Sequence, residues 1–281
     1  MAHISIRDTV VFSFSFFFWN APRIAARIVL PALGGWITSY VALYFYLTEL
    51  EKYLGSPSDR IASLVLGLAT AGMLVTLLMH SIIVSSIASL ALGLEESGWE
   101  VFRIGRREVR LYAANLRFIL ICAGFIVVMR MTEFGMARFA PSAGAVWIVD
   151  IVMGGGLCWL AVRLGFLIPP IAVAKREGEI LRRGWRLSLG HFWSMAAIAV
   201  VLALPGFAVE LAGEFVMQLC GISLQFDRYS SLASLVAAYR GILPNVLVAV
   251  GIGYVVAIIL LTAARVSVYR QLVDQAGPSA S

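Results

Sequence analysis

Few residues in this chain are of types that do chemistry, and their spacing rarely suits it. The three histidines, His3, His80 and His191, lie far apart, and none pairs with a second ligand or a Ser or Cys nucleophile at a recognisable interval. The three cysteines, Cys122, Cys158 and Cys220, are isolated in or beside apolar stretches without CxxC or metal-ligand spacing. No glycine-rich phosphate loop follows a strand. The expectation is therefore a protein that is not an enzyme and uses no cofactor and no metal.

Two sets of charged residues remain. The first is arginine in short amphipathic stretches. Arg103, Arg106, Arg107 and Arg110 share one helical face, and Arg182, Arg183 and Arg186 share another, opposite Leu181, Trp185, Leu189 and Phe192. Such helices lie on a membrane surface, where the basic face meets anionic headgroups, so these seven arginines and Trp185 are the candidate headgroup-binding residues. Glu108 falls among the apolar positions of its stretch, and periodicity gives no account of it beyond a buried pair. The second set is ionisable residues inside apolar runs, where burying charge is costly. Asp150, Arg163, Glu210 and Glu214 qualify, and His80 shares a face with Gly72 and Thr76. They make a candidate intramembrane polar site. The plainer reading is structural ion pairing, contact with interfacial water, or helix packing.

The elements that must position these residues follow from composition. The chain has 281 residues, of which 60% are hydrophobic and 14% charged, too apolar for a soluble domain of this size. Several runs reach the ~20 apolar residues that a bilayer-crossing helix needs. The expected fold is all-α: a polytopic membrane protein with six transmembrane helices as three hairpins, each preceded by a cytoplasmic interfacial amphipathic helix. The surface helices are expected at 6–19, 99–112 and 179–193, and the spans near 24–47, 61–92, 116–131, 145–167, 194–219 and 244–266. Asn20 and Pro22 are expected to break the first surface helix from its span, and Asn115 the second. Pro169 and Pro170 should end or kink the fourth span, and Pro205 should kink the fifth. A small separate helix is expected at 229–241, before Pro244 starts the last span.

Trp36, Tyr40 and Tyr44 recur every four residues and read as a packing stripe or interface anchor. Aligning Asn20, Asn115 and His191 gives three pseudo-repeats, approximately 4–93, 98–174 and 177–268, within one membrane domain spanning 1–281, with 269–281 as a flexible polar tail.

The net charge of +6 does not point to nucleic acid, because the basic residues flank apolar spans. Regions holding Arg7, Arg23, Arg27, the arginines of 103–110 and 182–186, Arg265 and Arg270 are assigned to the cytoplasm. The opposite loops carry only Lys52, Arg60, Arg130, Arg138, Arg228 and Arg240. This asymmetry puts both termini inside. Membrane lipids, anionic ones above all, are the expected partners, with a membrane-protein partner as a further one.

The stretch Pro169-Pro170, Glu177-Gly178 and Gly184-Trp185-Arg186-Leu187-Ser188-Leu189-Gly190-His191-Phe192-Trp193 resembles the membrane-domain family associated with some bacterial glycerophosphodiester phosphodiesterases, and its stand-alone inner-membrane relatives. That family shows a proline-ended span, an acidic-glycine turn, and a helix with Ser-Trp-x-Leu-x-x-Gly-x-x-Trp. Gly184 stands here where the motif has serine. The close match covers about 25 residues, by the spacing of the motif. The resemblance implies a multi-pass protein of the bacterial inner membrane with a poorly defined role; it does not imply phosphodiesterase activity, no soluble catalytic domain being attached. Two functional expectations follow. One is a lipid-binding membrane scaffold or aid to lipid movement; the other is a small proton- or ion-coupled transporter using the intramembrane acids.

Overall fold

The computed structural model describes residues 4–56, 58–94, 105–139, 143–174, 179–219 and 231–276. Among them the chain is helical, with no strand. In order come α1 (Ile6–Gly55), α2 (Asp59–Ala91), α3 (Arg106–Phe139), α4 (Ala143–Leu160), a π turn (Ala161–Gly165), α5 (Ile168–Val173), α6 (Ile180–Leu187), α7 (Phe192–Leu219) and α8 (Leu232–Ala276). Among the described residues six helices are long and apolar enough to cross a membrane, so the expected all-α polytopic fold stands.

Several boundaries differ from the sequence reading, and most for one reason. α1 runs unbroken through Asn20, Pro22 and Pro31, and α8 through Pro244. The expected break at Asn20–Pro22 and the separate helix at 229–241 are therefore not formed. Nor does Asn115 divide α3, which continues from Arg106 to Phe139. Proline removes one helix hydrogen bond, but opening a helix to hydrocarbon would expose several backbone groups, each costing several kcal/mol. Continuing through the proline is the cheaper solution.

At 50 residues, α1 is about 75 Å long against a hydrocarbon core of about 30 Å, so much of it lies beyond the span. The tail is not free either. α8 continues to Ala276, and Tyr269 and Leu272 are buried. Gln271 accepts from the Ser5 amide and donates to Thr9 Oγ1. Residues 277–281 lie outside the described part.

The fourth span bends before its prolines rather than at them. α4 passes into the π turn, the chain turns at Phe166 and Leu167, and Pro169 sits in the first turn of α5. There its missing N–H has no helix partner to lose. All six residues of α5 are buried. The stretch expected as the third surface helix, 179–193, is divided: α6 stops at Leu187, Gly190 takes φ +80°, and Phe192 and Trp193 already belong to α7. That left-handed conformation suits glycine.

The chain forms two compact units. The first comprises Met1–Phe16, Ala88–Val200 and Thr262–Ser281; the second comprises Phe17–Ile87 and Val201–Leu261. The core of the first includes Ile4, Leu111, Leu167, Met195 and Ile198, all at most 2% exposed. In the second, Leu47, Val236 and Leu243 form a buried cluster.

In the second unit α7 and α8 meet closely at small residues. A Cβ built on Gly206 of α7 would lie 2.6 Å from Ala257 Cβ, and one on Gly213 would lie 2.6 Å from Ala249 Cβ. On α8, a Cβ at Gly253 would lie 2.7 Å from the Gly206 carbonyl. Here the backbones of α7 and α8 approach as closely as small residues allow.

Candidate functional site

In the first unit the site is built around Arg163. The π turn carries this residue into the protein, and it is 7% exposed. π turns recur at functional positions because they re-aim one side chain. Trp159, four residues earlier, brings its ring within 5.2 Å of the guanidinium carbon, and Trp185 of α6 within 4.3 Å. The two indoles meet edge to face, with centroids 5.2 Å apart. Arg163 Nε donates to Ser188 Oγ at 3.1 Å, and Nη2 donates to the Trp185 carbonyl at 3.3 Å. The Ser188 hydroxyl in turn lies 3.0 Å from both the Arg163 and the Trp185 carbonyls.

Around the guanidinium lie two aromatic faces, a hydroxyl and a carbonyl at the end of α6. A cation there meets the negative end of the helix dipole and two ring quadrupoles. Arg163 thus fastens α6 to the end of the fourth span.

The fastening decides which side of α6 faces out. Gly184 is buried, and a Cβ on it would lie 3.6 Å from the Leu164 carbonyl. Trp185 is half-buried against Arg163, which revises its expected role: its ring belongs to the internal tie as well as to the apolar side of the helix. Arg182 and Arg186 are exposed, and Arg183 is half-buried. α6 packs on the π turn, α5 and α3.

At the start of α3, Arg106 is exposed and Arg107 and Arg110 are half-buried. Arg103 lies outside the described residues. Glu108 now has an account. Its Oε2 accepts from the Gly105 amide at 2.9 Å, the half of a capping box in which the third helical residue reaches back to the N-cap. Its carboxylate also sits at the positive end of the helix dipole. The sequence reading missed it because the expected helix starts at 99, seven residues before Arg106, which hides Gly105 as a cap.

The residues expected at one intramembrane site fall in both units. Arg163 belongs to the first unit, whereas His80, Glu210 and Glu214 belong to the second. The Asp150 side chain lies outside the described residues. Glu210 is half-buried, with its stem against α8 where a Cβ on Gly253 would lie 2.5 Å from its Cγ. Glu214 is exposed.

The Gly72, Thr76 and His80 face is used for packing. A Cβ on Gly72 would lie 2.9 Å from Ala42 Cβ, Thr76 and Ser39 hydroxyls lie 3.2 Å apart, and His80 Nδ1 is hydrogen-bonded to the Tyr254 hydroxyl. The aromatic stripe packs too. Trp36 Nε1 donates to the Leu247 carbonyl at 2.9 Å, and Tyr44 lies under Arg240.

Arg240 is held by α1. Its Nη1 lies 2.8 Å from Glu51 Oε2 and 3.2 Å from Thr48 Oγ1. Sequence reasoning singled out none of Trp159, Ser188 and the Glu51–Arg240 pair for a role. The only local signal was Trp159 standing one helical turn before Arg163.

Among the described residues no group of three His, Cys, Asp or Glu side chains could hold a metal ion. Compared with family models, curated proteins and solved structures, the chain matches none. The fold defines its class: an all-α, multi-pass membrane protein.

Proposed function

We propose that this protein resides in the bacterial inner membrane with both termini in the cytoplasm. There it binds anionic lipid through its arginine-bearing helices, as a scaffold for membrane partners or an aid to lipid movement. The supporting observation is the Arg163 fastening. It fixes α6 by its buried side, so that Arg182 and Arg186 are exposed. Arg106, Arg107 and Arg110 open α3, which packs on α6. Each basic residue near an anionic membrane surface contributes about 1 kcal/mol. The resemblance of 169–193 to the inner-membrane domain family, and the three-hairpin repeat, belong to the same reading.

The carrier reading, with Asp150, Glu210 and Glu214 as proton or ion sites, has less behind it. Glu214 is exposed, and the stem of Glu210 is taken up in packing against Gly253.

The test is native mass spectrometry of protein carrying co-purified lipid. Reversing Arg103, Arg106, Arg107 and Arg110 to Glu is expected to lower retention of anionic phospholipid at least tenfold, while zwitterionic lipid is unaffected. Unchanged retention would count against the proposal.

A further inference from the structure

A threonine inside a helix commonly turns its hydroxyl back on its own backbone. Thr9, Thr38, Thr48, Thr70 and Thr132 do so, each donating to the carbonyl four residues earlier. Thr76 meets the Ser39 hydroxyl instead. Thr262 of α8 does neither. It is 0% exposed, and its Oγ1 has no hydrogen-bond partner among the described residues. Tyr269, two turns further along α8, is 5% exposed, and its hydroxyl likewise has none among them.

The two hydroxyls belong to one place. Positions 262, 265 and 269 lie at i, i+3 and i+7, on one face of α8. Helical side chains lean towards the N-terminus, so the Tyr269 ring reaches back over the turn of Arg265, towards Thr262. Arg265 stands between them on the helix, its guanidinium carbon 5.8 Å from the centroid of the Phe166 ring. Phe166 directly follows the π turn, so this face of α8 looks at the end of the fourth span. All of these residues belong to the first unit.

We infer that this face of α8 encloses ordered water, shared by the Thr262 and Tyr269 hydroxyls. A buried hydroxyl without a partner has lost its hydrogen bonds to solvent and made none in return. Two of them on one face, one turned from a carbonyl that its own helix offers, point to a common polar ligand. Both oxygens are closed off from the surface. That excludes a phospholipid headgroup and leaves a molecule of water's size. Internal water bonds to buried polar groups of this kind. A hydroxyl both donates and accepts, so each can take either role towards it. The guanidinium on the same face benefits, because water beside it lowers the cost of holding a cation inside the protein. The inference does not draw on the lipid-binding reading, and either can fail alone.

The full chain in lipid nanodiscs is exposed to a brief X-ray pulse, which splits bound water into hydroxyl radicals that oxidise the nearest side chains. Peptide mass spectrometry should find Tyr269 oxidised despite its burial, with a several-fold lower yield in Thr262→Val. Thr262→Val and Tyr269→Phe keep the side-chain shapes. Each should lower the unfolding midpoint in detergent by about 2–4 °C. The double variant should lose less than the sum, because both changes release the same water. Unoxidised Tyr269 would overturn the inference. So would a midpoint that stays or rises in either variant, the result expected of dry hydroxyls. Strictly additive losses would overturn the shared site. A midpoint raised by added phosphate in the unaltered chain, but not in the variants, would overturn water in favour of an anion.

Discussion

Arg163 and Trp185 face each other with the guanidinium carbon 4.3 Å from the indole centroid, joining the fourth span to the helix that displays Arg182 and Arg186. This contact joins the arginine-bearing helix to the membrane fold. Arg163→Ala should free α6. Loss of a desolvated cation–π contact alone is about 2 kcal/mol, or a roughly thirtyfold rise in local opening. Hydrogen exchange of the 180–187 amides should quicken accordingly. Arg163→Lys should recover only part of this, because an ammonium cannot stack on Trp185 while reaching both Ser188 and the Trp185 carbonyl. Unchanged exchange in Arg163→Ala would refute the fastening.

Two buried glycines should respond oppositely to alanine. At Gly184 a Cβ meets the Leu164 carbonyl at 3.6 Å and Ile171 Cδ1 at 3.8 Å, both ordinary contacts. Gly184→Ala should therefore raise stability by about 0.5–1 kcal/mol through helix propensity. Serine, the residue of the resembling motif at this position, should be tolerated as well. At Gly253 a Cβ would come within 2.5 Å of Glu210 Cγ and 2.7 Å of the Gly206 carbonyl. Gly253→Ala should cost about 1–3 kcal/mol by overpacking, read as a lower unfolding midpoint in detergent. Glu210→Ala would relieve one of those two clashes and should restore part of the loss.

Trp36→Phe tests the tie between α1 and α8. It keeps an aromatic ring but removes the N–H that reaches the Leu247 carbonyl at 2.9 Å. Polar contacts between membrane helices contribute about 0.6 kcal/mol on average. A small drop in the unfolding midpoint is expected, much below that of Gly253→Ala. An equal or larger drop would mean that the ring has a different role.

The Glu51–Arg240 pair should couple weakly. Its side chains are 33% and 27% exposed, so solvent screens the attraction. A double-mutant cycle of Glu51→Gln and Arg240→Gln is expected to give about 0.2–1 kcal/mol. A larger coupling energy would show that this end of α1 and α8 is shielded from water.

What the sequence made legible was local. Six apolar runs and two arginine faces are written in consecutive residues, and the hydropathy and charge patterns located them. Proline misled because rules from soluble helices were applied at Pro22 and Pro244, where the apolar surroundings favour an unbroken helix. The partners of Arg163 were hidden because Ser188 lies 25 residues away in sequence, and no period connects the two. Trp185 is expected at the headgroups because the helical wheel gives a side but not the neighbour that occupies it. The Gly206–Gly253 contact had a partial signal, since Ala249, Gly253 and Ala257 recur every four residues on α8. Choosing α7 as its partner required the fold.

The account depends on the arginine-bearing helices lying in the cytoplasmic headgroup layer. Single cysteines at positions 106 and 186, in a chain whose own cysteines are replaced by alanine, would be exposed to a membrane-impermeant maleimide in intact bacterial cells and in inverted vesicles. Labelling of both in inverted vesicles alone is the predicted result. Labelling from outside intact cells, or protection on both sides as for a segment sunk in the bilayer, would contradict it.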